Sequence, residues 1–85
     1  MLLKNACVIK KISIHDVDSV KNDPDIIMFL EAAPDRLGKN GRFMIRLSGI
    51  PQENSVLAEG KSKRRCSRCV EEFEKLLIKK GYMDH

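Results

Sequence analysis

Eighty-five residues, 42% hydrophobic and 33% charged, make one small domain with a single core and exclude a disordered segment. With no Trp, three Phe and one Tyr, that core draws mostly on Leu, Ile, Val, Met and Ala, which speaks against an aromatic platform for stacking bases. Sixteen Lys and Arg against 12 Asp and Glu leave a formal charge of +4, which favours anionic partners without naming one. The longest apolar run, Ile26 to Leu30, falls far short of the ~20 residues that a membrane-spanning helix needs. Three cysteines and no apolar leader segment point to a soluble protein in the reducing cytoplasm.

In chain order, Leu2 to Ile14 is rich in β-branched residues and predicts one long or two short strands, with lysines that suit a sheet edge. His15 to Ser19 is polar and acidic and reads as a loop, with at most a short turn to Asn22. Asp23-Pro24 is a helix start: the carboxylate accepts from first-turn amides, and proline at the first helical position loses nothing by lacking one. Ile26, Ile27, Leu30 and Ala33 then make an apolar stripe at helical spacing. Pro34 predicts a kink or stop near that point, with a last turn to Leu37 and a left-handed cap at Gly38.

Gly41 to Gly49, GRFMIRLSG, alternates: Phe43 and Ile45 fall on one face of a strand, Arg42, Met44 and Arg46 on the other. Ser48-Gly49 lets the chain turn sharply at the strand end. A guanidinium, a hydroxyl and main-chain amides brought together there suit a bound oxyanion. Ser55 to Gly60 predicts a second strand, antiparallel to the first. The final helix, about Lys63 to Lys80, carries Cys66, Cys69, Val70, Phe73, Leu76 and Leu77 on one stripe. Cys66 and Cys69 have metal-like and redox-like spacing, yet a structural zinc needs four ligands and this chain adds only Cys7, His15 and His85. Their place on the apolar stripe marks them as small buried hydrophobes. Lys61, Lys63, Arg64, Arg65 and Arg68 crowd the start of this helix and leave open an alternative, a small basic nucleic-acid-binding module. Neither histidine has an evident partner.

The stretch GRFMIRLSGIPQENSVLAEG, together with Leu3-Lys4-Asn5, Asp23-Pro24 and Leu37-Gly38, resembles the C-terminal domain of the α-D-phosphohexomutases, with the greatest likeness to bacterial phosphoglucosamine mutases. The corresponding family stretch reads approximately Gly-Arg-x-x-x-Arg-x-Ser-Gly-Thr-Glu-Pro-x-x-Arg-Val-Met-x-Glu-Gly, and it aligns without a gap. Arg46, Ser48 and Gly49 match. Ile50, Pro51, Gln52 and Ser55 stand where the family has Thr, Glu, Pro and a second Arg.

The resemblance implies an α+β fold: a small, mostly antiparallel four-stranded sheet of TBP-like topology covered by two helices, residues 1–85 forming one domain. It implies a sugar-phosphate-binding role, with Arg46, Ser48 and the amides of Gly49 and Ile50 gripping the phosphate that is not transferred in the interconversion of glucosamine 6-phosphate and glucosamine 1-phosphate. The phosphorylated serine, the magnesium-binding aspartates and the acid/base groups belong to the family's other domains. This domain alone is therefore expected to hold no cofactor and no catalytic residue, and to work with the rest of the enzyme on cell-wall precursor synthesis, away from membranes.

Overall fold

The computed structural model describes residues 6–38, 40–48 and 53–84. They form β1 (Ala6–Ile12), α1 (Val17–Asn22), α2 (Pro24–Arg36), β2 (Arg42–Arg46), β3 (Asn54–Gly60) and α3 (Lys63–Lys79). β3 is the central strand, paired antiparallel with β1 on one side and with β2 on the other. The α+β class, the antiparallel pairing of β2 with β3 and the edge position of β1 are as the sequence indicates.

Two counts differ. Among the described residues the sheet has three strands, not four, and three helices accompany it, not two. The extended run at the N-terminus gives one strand, Ala6–Ile12, and its expected beginning at Leu2 to Asn5 lies outside the described residues. The extra helix is α1, in the stretch that reads as a loop. Asp16 caps it in a left-handed conformation (φ 54°), accepting from the Ser19 amide at 3.2 Å and from the Ser19 hydroxyl at 2.6 Å. Six residues are too few to show a helical period, so only the cap and the buried Val20 mark it.

The register sorts the strands into two faces. Val8, Ala58 and Phe43 share a row, as do Lys10, Val56 and Ile45, and this face lies under the helices. There Val56 and Ala58 are fully buried, and Phe43, Phe29 of α2 and Phe73 of α3 pack against one another in three pairs at ring-centroid separations of 5.3–5.6 Å. Each such ring pair adds about 0.5–1.5 kcal/mol beyond the area it buries. The opposite face, with rows Cys7–Glu59–Arg42, Ile9–Leu57–Met44 and Lys11–Ser55–Arg46, carries no described helix. Ile9 is 65% and Met44 45% exposed on it.

α3 lies over β1 and β3, and α2 over β2, so the two helices share the covered face and touch each other. Cys66, Cys69, Val70, Phe73 and Leu77 of α3 are buried, matching the apolar stripe. In α2, Ile26 and Ala33 are buried, but Ile27 is 40% exposed: the core side is set by Ile26, Leu30 and Ala33, and Ile27 falls off it. α2 continues past Pro34 to Arg36. Arg36 pairs with Glu72 and lies over the Phe29 ring, and Lys10 reaches the buried Glu74 at 2.8 Å, tying α3 to its neighbours. No described helix is long and apolar enough to cross a membrane.

Candidate anion-binding site

Arg46 is the last residue of β2 and is exposed on the open face of the sheet. Alternation dictates this: with Phe43 and Ile45 committed to the helix-covered side, Met44 and Arg46 must face away. Arg46 borders a shallow hollow of about 120 Å³ with Ile9, Met44, Ser55 and Leu57. Among the described residues it makes no ion pair.

Ser48 sits differently. It borders a separate hollow of about 570 Å³ at the end of the sheet, beside His15, Asp16, Asp18 and Lys21. Two carboxylates against one lysine make that hollow a poor host for an anion. Asp16 is firmly ionised there, its carboxyl held below the ordinary value by the Ser19 hydroxyl and amide. The Ser48 amide donates to Oδ1 of Asn54 at 2.7 Å. Among the described residues Arg46 and Ser48 border different hollows. Gly49 and Ile50, expected to complete the cradle, lie outside the described residues, as do Pro51 and Gln52.

Asn54 is the residue that reading by motif passes over. It is fully buried, and it closes the segment from Ser48 back onto the first residue of β3. Its signal was faint: an asparagine at a loop end, whose side-chain carbonyl can stand in for a main-chain acceptor.

The remaining candidates resolve as follows. Cys66 and Cys69 are buried, and burial pushes both thiols up from the ordinary value, so they are packing groups and not activated nucleophiles. Cys66 approaches the Ala6 carbonyl at 3.9 Å. Lys63, Arg64, Arg65 and Arg68 project from the exposed side of α3, whose cap is the Ser62 hydroxyl accepting from the Arg65 amide at 3.3 Å. His15, expected to be without a partner, meets Asp84 at 3.1 Å, and its amide donates to the Tyr82 carbonyl at 2.7 Å. His85 lies outside the described residues.

No family profile matches the chain, and no solved structure matches it. Curated relatives do. The chain is 31% identical to a phosphoglucosamine mutase of Lachnospira eligens over 75 residues, which is 88% of the chain and 17% of that protein. It is 28% identical to that of Corynebacterium diphtheriae and 31% identical to that of Lachnoclostridium phytofermentans, each over 72 residues, 85% of the chain and 16% of the relative. The chain thus spans only about one sixth of the length of the relatives it matches. Its resemblance to the phosphohexomutases holds over most of its own length, and what it resembles is one portion of phosphoglucosamine mutase.

Proposed function

We propose that residues 1–85 are the C-terminal, sugar-phosphate-binding domain of a phosphoglucosamine-mutase-like enzyme. Its role is to hold and orient the phosphate that is not transferred, while the phosphorylated serine and the magnesium site lie in the remaining domains, its partners in the cytoplasm. A mutase must present one sugar in two orientations, and a domain that grips the far phosphate does this without taking part in the chemistry.

The observation that carries this reading is Arg46. It occupies the position of the family arginine in Arg-x-Ser-Gly, it ends a strand whose neighbours fix its direction, and its guanidinium is exposed and unclaimed by any described carboxylate. A planar fork of donors suits a phosphate monoester. The nucleic-acid alternative gains nothing from the three relatives, all mutases by name.

The test is a titration of the isotope-labelled chain with glucosamine 6-phosphate, followed by amide NMR. The expected result is saturable shifts at Arg46 and Ser48 at millimolar ligand that Arg46→Ala abolishes. Unmoved signals in the unsubstituted chain at that concentration would refute binding.

A further inference from the structure

The row of the open face that contains Arg46 has a second cation. Lys11 of β1, Ser55 of β3 and Arg46 of β2 are direct partners across the three strands. With strands about 4.8 Å apart, Lys11 and Arg46 stand about 10 Å apart at the backbone, with the Ser55 hydroxyl between them. Both side chains are long enough to lean inward and meet on one tetrahedral anion.

Three observations set this row apart. Lys10 and Lys11 are adjacent but point to opposite faces: Lys10 is bound to Glu74 at 2.8 Å beneath α3, whereas Lys11 is exposed and in no ion pair among the described residues. At the other end of the face, Arg42 is opposite Glu59, so a carboxylate offsets its charge; the Lys11–Arg46 row has a hydroxyl at that place instead. Glu53, which precedes β3, pairs with neither cation. Finally, Ser55 and Arg46 border the same hollow. Cations on edge strands also discourage further pairing, but that account would serve equally with the two charges in different rows.

We infer that Lys11 is a second phosphate-binding residue, closing with Arg46 and the Ser55 hydroxyl on a dianionic phosphate monoester over the open face of the sheet. This rests on the phosphate-binding reading of Arg46. It gives the site a cation from β1 that the motif in β2 does not include, opposite the serine that replaces the second family arginine.

The test titrates inorganic phosphate and glucosamine 6-phosphate into the unsubstituted chain and into Lys11→Gln, Lys11→Arg and Lys79→Gln, following amide signals of Arg46 and Ser55. Lys11→Gln keeps the stem and is exposed, and a dispersed amide spectrum confirms its fold. Losing one charge-assisted contact should weaken binding of both ligands about tenfold, with Lys11→Arg restoring most of it. Lys79→Gln removes an equal charge from the last turn of α3, which packs on the covered face of the sheet, and should leave binding within about a factor of two, because an exposed charge that does not touch the anion acts on it only through screening solvent. If Lys11→Gln behaves like Lys79→Gln while the unsubstituted chain binds, the Lys11 assignment falls and the Arg46 reading stands. If the unsubstituted chain binds neither ligand, both fall.

Discussion

The main-chain amide of Ser48 donates to the side-chain carbonyl of Asn54 across 2.7 Å, and Asn54 is fully buried at the start of the central strand. This bond ties the exit of β2 to the entry of β3. Asn54→Ala leaves the Ser48 amide without that acceptor and should cost about 1–3 kcal/mol. Thermal unfolding should show the loss, and hydrogen exchange at the Ser48 amide should accelerate well beyond the global change. Exchange that rises only in step with overall stability would mean that the bond does not govern local opening at Ser48.

A second tie gives a pH dependence. The Tyr82 hydroxyl donates to Oδ2 of Asp23 at 2.6 Å, and Oδ1 of the same carboxylate accepts from the Asp25 amide at 2.8 Å as the cap of α2. The tyrosine bond, with help from the cap amides and Lys80, holds Asp23 below its ordinary value of 3.8. A carboxyl lowered on folding contributes stability that is present above 3.8 and is lost as the pH falls through its folded value. The same bond raises Tyr82 above 10.0, so its contribution is present below 10.0 and disappears as the pH rises through the folded value. Tyr82→Phe should therefore flatten both limbs of the unfolding-midpoint profile, below pH 4 and above pH 10, and lower the plateau between them. A parallel downward offset at every pH would contradict the linkage.

How much of this was legible in the sequence depends on the range over which each signal acts. The faces of β2 follow from strict alternation in Arg42 to Arg46, and the buried side of α3 from residues three and four apart; both are local patterns. α1 is too short for a period, and the burial of Val20 depends on what packs over it. The motif placed Arg46, Ser48, Gly49 and Ile50 together because they are neighbours in sequence. Among the described residues Arg46 borders one hollow and Ser48 another, and because the strand ends at Arg46, alternation no longer governs where Ser48 points. Lys11 joins Arg46 only through the pairing of both strands with β3, a relationship 35 residues long in sequence that no motif contains.

The cysteines give a chemical check on the packing. Cys7 is exposed, whereas Cys66 and Cys69 are buried with thiols pushed up by burial. A thiol-exchange reagent at pH 8 should react promptly with Cys7 and reach the other two on the timescale of unfolding, since it is the accessible thiolate that reacts. Cys7→Ser should remove the fast phase alone. A fast phase that persists would mean that α3 lifts from the sheet under native conditions.

The turn that feeds β2 separates two costs of a single methyl group. The Gly41 amide donates to the Gly38 carbonyl at 2.9 Å, and a Cβ at Gly41 would stand 2.6 Å from both the Pro34 carbonyl oxygen and the Leu37 Cβ. Neither neighbour is the free end of a flexible side chain, so the backbone of the α2–β2 connection must move. Gly38 presents the opposite case: φ is +96°, but nothing lies within 4 Å of a Cβ there. Gly38→Ala thus pays only for the left-handed backbone, about 1 kcal/mol. Gly41→Ala carries a clash in a packed region, with a cost at the upper end of about 1–3 kcal/mol. Denaturant unfolding should rank Gly41→Ala as the more damaging, and its displaced connection should shift the amide signals of Arg42 and Phe43 at the start of β2. Equal losses in the two variants would show that the close approach of Gly41 to α2 yields without cost.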